Sequence, residues 1–177
     1  MDVLLLSAPP KLNNGFGINV LQMELTASFL GRKGFTTEIF DGSAYDLTPR
    51  QLANIILRKS CTLLGCFISQ ESALTNLRVI RKLREAGWVG HVTLLGDYAG
   101  KIYKTLLLNK CGIDSIVIGR DELVLTTLVN KGLTGEQWQT TPGLAFFSTT
   151  QGIVVNKGGY RAVESYAVRP SLKAIAH

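Results

Sequence analysis

The chain has 177 residues, 46% hydrophobic and 18% charged, with 19 basic against 13 acidic side chains for a formal net charge of +6. That composition fits one globular domain with a full core, and no apolar run approaches membrane-spanning length. The basic excess is dispersed (Arg78, Arg81, Lys82 and Arg84 in one segment, Lys101, Lys104 and Lys110 in another) without an interleaved aromatic ladder, so nucleic acid is not an expected partner.

The first apolar run, Val3–Leu6, breaks at Ser7 into two prolines and a loop, Lys11–Asn19, that holds Leu12, Asn13, Asn14, Gly15, Phe16 and Gly17. A helical stripe of Ile18, Leu21, Leu25 and Phe29 follows and stops at Lys33-Gly34. The second run, Thr37–Phe40, leads to Thr48-Pro49-Arg50-Gln51, a capping box with proline at the first helical position, and then to Leu52, Ile55 and Ile56. The third run, Leu63–Ile68, precedes a stripe of Leu74, Leu77, Ile80 and Leu83 closed by Ala86-Gly87. The fourth, Val92–Leu95, precedes Ile102, Leu106 and Leu107 and a stop at Cys111-Gly112. The fifth, Ser115–Ile118, precedes Leu123, Leu125 and Leu128 and a stop at Lys131-Gly132.

Short runs that are apolar throughout, rather than alternating, describe strands buried on both faces. Their alternation with amphipathic segments predicts right-handed crossovers and an α/β fold: a five-stranded parallel doubly wound sheet in the flavodoxin-like order 2-1-3-4-5. Residues 1–132 are expected to form this domain. Residues 133–177 then read as a connector: a β-hairpin of Leu144–Phe147 and Ile153–Val155 across a polar loop, with an irregular tail from Asn156.

Cys61, Cys66 and Cys111 have no metal-ligand spacing, and an odd count argues against a disulfide framework. With no basic region followed by an apolar stretch at the amino terminus, a cytoplasmic protein with reduced, structural cysteines is expected.

Open parallel sheets bind ligands at the carboxyl edge of their strands. Here that edge is expected to gather the loop 9–19, Asp41-Gly42-Ser43-Ala44, Ser69-Gln70-Glu71-Ser72, Gly96-Asp97-Tyr98-Ala99-Gly100 and Gly119-Arg120-Asp121-Glu122. Small residues let a ligand approach the backbone closely, although each alone also serves a tight turn. The edge lacks the acids of a response regulator, the hydroxyl-rich loop of a flavodoxin and a P-loop. The histidines are His91, expected as a surface residue at the amino end of the fourth strand, and His177, so no Ser-His or Cys-His pair forms at this edge. Glu71, Asp97 and Asp121 could meet as acid/base groups or a hard-metal site, or cap helices instead. Gly15-Phe16-Gly17 with Asp41 imitates a dinucleotide fingerprint, and an NAD(P)-type oxidoreductase is one alternative. However, Gly15 lies eight residues beyond Ser7 and Val20 replaces the third glycine.

Taken in order, Leu5-Leu6-Ser7-Ala8-Pro9-Pro10, Gly17-Ile18-Asn19-Val20-Leu21-Gln22, Leu30–Phe35, Thr37–Asp41, Phe67-Ile68-Ser69, Leu94–Ala99, Ile116–Glu122 and the hairpin from Pro142 to Asn156 resemble one known family. It is the amino-terminal cobalamin-binding domain of the cobalamin-dependent radical S-adenosylmethionine enzymes, and the likeness covers roughly residues 1–160. The resemblance implies that Ser69 contacts the dimethylbenzimidazole, that Gly96 and Ala99 make room for the nucleotide tail, and that Leu12–Asn19 underlies the corrin. Ser43, Gln70, Asp97, Tyr98, Gly119, Arg120 and Glu122 complete the implied cofactor-binding set.

Two departures stand out. Asn13-Asn14-Gly15-Phe16-Gly17 occupies the place of the Asp-x-His-x-x-Gly motif of methionine-synthase-like proteins, which implies a base-off cofactor without a protein histidine. Asp97 replaces the second glycine of the turn after the fourth strand. The cysteines cannot supply a Cys-x3-Cys-x2-Cys cluster motif, so the chain holds no complete catalytic site. The implied partner for methyl transfer is a radical S-adenosylmethionine domain or subunit. An interaction module that kept the fold without the ligand is the other alternative.

Overall fold

A computed structural model describes residues 1–9, 18–45 and 47–158, and the side chains of all of these except 18, 19 and 43. In chain order the elements are β1 (Val3–Ser7), α1 (Ile18–Arg32), β2 (Thr37–Asp41), a 3-10 turn (Gly42–Ala44), α2 (Pro49–Leu57), β3 (Leu63–Phe67), α3 (Ala73–Glu85), β4 (His91–Leu95), α4 (Asp97–Leu108), β5 (Ser115–Val117), α5 (Asp121–Asn130), a second 3-10 turn (Gln137–Thr140), β6 (Leu144–Ser148) and β7 (Gly152–Val155). The five helices follow the five runs predicted as strands, and the runs that form β1, β3 and β4 are short and apolar enough to lie buried on both faces.

The sheet itself differs from expectation. It has seven strands, in the order β2-β1-β3-β4-β5-β6-β7, rather than five. The parallel part keeps the 2-1-3-4-5 order, and the hairpin continues it antiparallel, with Ser115 opposite Phe146 and Val117 opposite Leu144. The Ile118 N–H donates to the Gly143 carbonyl at 2.7 Å where the two parts meet. The physical reason is the edge. Without the hairpin, β5 would expose a row of unpaired backbone groups.

β1, β3 and β4 are buried along their whole length, whereas the outer strand β2 is half-buried. α1 and α5 cover one face, packing Met23, Leu30, Val124, Leu125 and Leu128 against Leu5, Leu63 and Phe67. α2, α3 and α4 cover the other, with Leu52, Ile56, Ile80, Leu83 and Leu106 against Leu4, Leu64 and Leu94. Each fully buried aliphatic side chain is worth about 1.5–3 kcal/mol, so this double layer carries most of the stability.

The helix ends follow local chemistry. Thr48 and Gln51 form the predicted capping box, with the Gln51 N–H donating to Thr48 Oγ1 at 3.3 Å and the Thr48 N–H to Gln51 Oε1 at 2.9 Å. Gly34, Gly87 and Gly132 take the positive φ that ends a helix without steric cost. The buried stripes are less faithful to expectation. On α1, Met23, Thr26 and Leu30 face the sheet, and Leu21 is 57% exposed. The helix carries apolar residues on more than one face, so periodicity alone supports several rotations about its axis. On α3, Leu74 is likewise exposed, and Asn76 and Val79 are buried beside Ile80 and Leu83.

Candidate functional site at the carboxyl edge

Parallel register brings the strand ends to a common level. Ser7 lies opposite Asp41 on one side and Phe67 on the other, and Phe67 lies opposite Leu95. The turns after β3 and β4 therefore leave the sheet side by side, the turn after β5 follows beyond β4, and the turn after β2 lies on the far side of β1. The loop residues Leu12, Asn13, Asn14, Gly15, Phe16 and Gly17 lie outside the described residues, as does the side chain of Ser43, whose backbone belongs to the turn Gly42–Ala44.

In the turn after β3, Ser69 and Ser72 cap each other. The Ser69 N–H donates to Ser72 Oγ at 3.0 Å, and the Ser72 N–H donates back to Ser69 Oγ at 3.3 Å. The Ser69 carbonyl also accepts from the Ala73 N–H at 2.9 Å, which starts α3. This reciprocal pairing satisfies donors that a helix start leaves orphaned. Gln70 and Glu71 are exposed on the outside of the turn. The Glu71 carboxyl is held below its ordinary range by its own backbone N–H and then by Ser69.

In the turn after β4, Gly96 has φ 93 and ψ 159, a conformation essentially restricted to glycine. A Cβ there would stand 3.3 Å from the Ile68 carbonyl oxygen of the neighbouring turn. The two turns thus approach each other backbone to backbone. Asp97 opens α4 and is exposed, its charge favourably placed at a helix amino terminus. It does not fill the interior of the edge. Ala99 is fully buried and Tyr98 packs on the core under α2, α3 and α4, so these two belong to the wall beneath the turn.

In the turn after β5, Gly119 has φ 131 and nothing within 4 Å of its Cβ position. Arg120 and Glu122 pair with each other, Nε to Oε1 at 2.8 Å, and so neutralise one another at the surface. Asp121 between them turns inward. Its Oδ1 accepts the Gly96 N–H at 3.4 Å. Burial pushes this carboxyl up to about 7, with Glu122 and Asp97 adding to the shift and the Gly96 hydrogen bond opposing it.

The structure therefore brings Ser69, Gly96, Asp97, Gly119, Arg120 and Glu122 to one edge. It adds Asp121 as the residue that joins two of the turns. The signal for Asp121 was available as an acid in the first turn of a helix, but its inward orientation depends on α4 and α5 lying side by side. Among the described residues, no group of three or more His, Cys, Asp or Glu could hold a metal ion, so Glu71, Asp97 and Asp121 form no such centre.

His91 corrects the expectation of a surface residue. It does stand at the amino end of β4, on the opposite edge, but it is buried. Its Nε2 lies 2.8 Å from Ser115 Oγ, and Trp138 stands edge-on to its ring at 4.8 Å. Burial pulls its pKa down to about 4, against the attraction of Asp114. The 3-10 turn that carries Trp138 is what covers it, and nothing in the local sequence of β4 announces that cover. Cys61 and Cys66 are buried free thiols as expected, and burial pushes both upward in pKa.

No protein-family profile matches the sequence, and no curated protein matches it either. Solved structures do. Over 97% of this chain, the fold superposes with TM-score 0.70 and 19% identity on the radical S-adenosylmethionine methyltransferase TsrM from Kitasatospora setae, solved with cobalamin and a 4Fe–4S cluster bound. Over 99% of the chain, it superposes with TM-score 0.78 and 16% identity on the cobalamin-dependent S-adenosylmethionine radical enzyme OxsB, solved with aqua-cobalamin and S-adenosylmethionine. The chain spans 31% of the first and 25% of the second, so it has the fold of one part of each. Among the described residues, no helix is long and apolar enough to cross a membrane.

Proposed function

We propose that this chain is a cobalamin-binding domain that presents its cofactor to a radical S-adenosylmethionine domain or subunit. The observation that carries the reading is the likeness in fold, over nearly the whole chain, to parts of two enzymes solved with cobalamin. The edge geometry supports it. Gly119 keeps backbone open at the turn after β5, Gly96 lets the turns after β3 and β4 approach each other closely, and Ser69 presents a capped hydroxyl turn beside them. Bound there, cobalamin would supply methyl-carrier chemistry.

The chain's own contribution is binding, orientation and exclusion of water. None of the segments at this edge contains a histidine, and His91 is held at the opposite edge, which supports a base-off cofactor without a protein ligand. The nucleotide-binding alternative is less well supported, since residues 8–17 separate Ser7 from the start of α1, whereas a dinucleotide turn follows its strand at once.

The test is an absorbance titration of the purified chain with hydroxocobalamin and methylcobalamin, followed by desalting. Retained corrin with a base-off spectrum is the expected result. A folded protein that retains no corrin would overturn the proposal in favour of an interaction module without ligand.

A further inference from the structure

A groove between two helices has a chemistry of its own. Between α3 and the end of α4 lies a cavity of about 650 Å³ lined by Leu74, Leu77, Arg78, Arg81, Lys110 and Cys111, among others. Its size falls within the range of ordinary ligand sites. Its inner wall is built rigidly. Arg84 donates through Nε to the Gly112 carbonyl at 3.0 Å, through one terminal nitrogen to the Trp88 and Gly90 carbonyls at 3.0 and 2.9 Å, and through the other to Asp114 at 2.6 Å. Gly112 permits this clamp, because a Cβ there would stand 2.8 Å from Arg84 Cγ.

The rim is basic and incompletely neutralised. Arg84 is matched by Asp114, while Glu85 is shared between Arg81 at 3.5 Å and Lys82 at 2.5 Å. Arg78 has no acidic partner among the described residues, and Lys110 stacks on the Phe147 ring instead, 5.8 Å from its centroid. Lys110 is also the one described non-glycine residue with positive φ, at 45. A lysine held in the left-handed region at a helix end carries a steric cost that a glycine would avoid. The floor is apolar, with Leu74 41% exposed beside Leu77.

We propose that this groove docks an acidic segment of a partner polypeptide, with an apolar side chain over Leu74 and Leu77 and carboxylates against Arg78, Arg81 and Lys110. Charge complementarity selects the occupant. The chain's own residues 159–177 carry Arg161, Arg169 and Lys173 against Glu164, the same sign as the groove, and are disfavoured there. The apolar floor favours a peptide over a phosphate backbone, which would seek a longer cationic track. The inference does not depend on the cofactor reading.

The test uses the full chain and a fluorescein-labelled synthetic peptide of two leucines flanked by glutamates, followed by anisotropy. Its controls are the same peptide with glutamines and a duplex DNA oligonucleotide. Binding of the glutamate peptide is expected to weaken with salt and by about tenfold in the double variant Arg78→Gln/Arg81→Gln, whose positions are exposed and whose fold is checked by circular dichroism. Bound peptide should also slow iodoacetamide alkylation of Cys111, the one cysteine that is not buried. Equal binding of the glutamine peptide, tighter binding of DNA, or unprotected Cys111 would each overturn the proposal.

Discussion

The backbone N–H of Gly96 donates to Oδ1 of Asp121 at 3.4 Å, joining the turn after β4 to the first turn of α5. The same carboxyl is pushed up to about 7, so the folded chain holds a proton there that the unfolded chain releases above about 4. Its contribution to stability therefore falls as pH rises from about 4 to about 7. His91, pulled down to about 4, acts in the opposite sense. The unfolded chain takes up that proton below about 6.5, so stability falls as pH drops from about 6.5 to 4. The two slopes oppose each other over nearly the same window. Unfolding free energies from urea titrations across this range are expected to rise with pH in Asp121→Asn and to fall with pH in His91→Gln, with slopes up to about 1.4 kcal/mol per pH unit. Parallel profiles for the two variants would show that neither group titrates as placed here.

Gly96→Ala places a Cβ in a glycine-only conformation and 3.3 Å from the Ile68 carbonyl. A loss of about 1–3 kcal/mol is expected in chemical denaturation. If the edge binds cobalamin, retention of hydroxocobalamin after desalting should fall in the same variant.

Ser69 has a structural role to separate from any cofactor contact, because its Oγ accepts the Ser72 N–H at 3.3 Å. Ser69→Ala is expected to cost about 1 kcal/mol, as loss of a helix cap does. A loss of corrin affinity well beyond that stability change would assign the hydroxyl to the cofactor.

Arg84→Met removes donors to three carbonyls and to Asp114 while keeping the aliphatic stem. About 2–3 kcal/mol should be lost, since the carbonyls and the carboxylate are left without their charged partner. An unchanged urea midpoint would remove the clamp from the stability of this end of the fold.

Ending the chain at Gly132 tests whether residues 1–132 stand alone. It uncovers the β5 edge that pairs with β6 and removes Trp138 from His91. The shortened chain is expected to self-associate on size-exclusion chromatography, as exposed edge strands do. A monomeric, cooperatively folding product would show that the hairpin is dispensable.

The amino-acid sequence determined what rests on local chemistry. Runs such as Val3–Leu6 and Val92–Leu95 are too short and apolar to be other than buried strands, Thr48 and Gln51 suffice for a helix start, and Gly34, Gly87 and Gly132 suffice for helix stops. Alternation and handedness predicted a parallel doubly wound sheet, and the count of five runs favoured the 2-1-3-4-5 order that the parallel part adopts. Tertiary structure decided what depends on neighbours distant in the chain. Only the packed sheet could choose Met23 over Leu21 for the buried face of α1, because both lie on apolar stripes of that helix. Only the pairing of β5 with β6 made the hairpin part of the sheet, and only the turn carrying Trp138 buried His91. Asp121 reads in sequence as an acid at a helix start that could cap the helix or meet Glu71 and Asp97. It joins Gly96 because α4 and α5 begin at adjacent strand ends, a proximity set by sheet register rather than by any local motif.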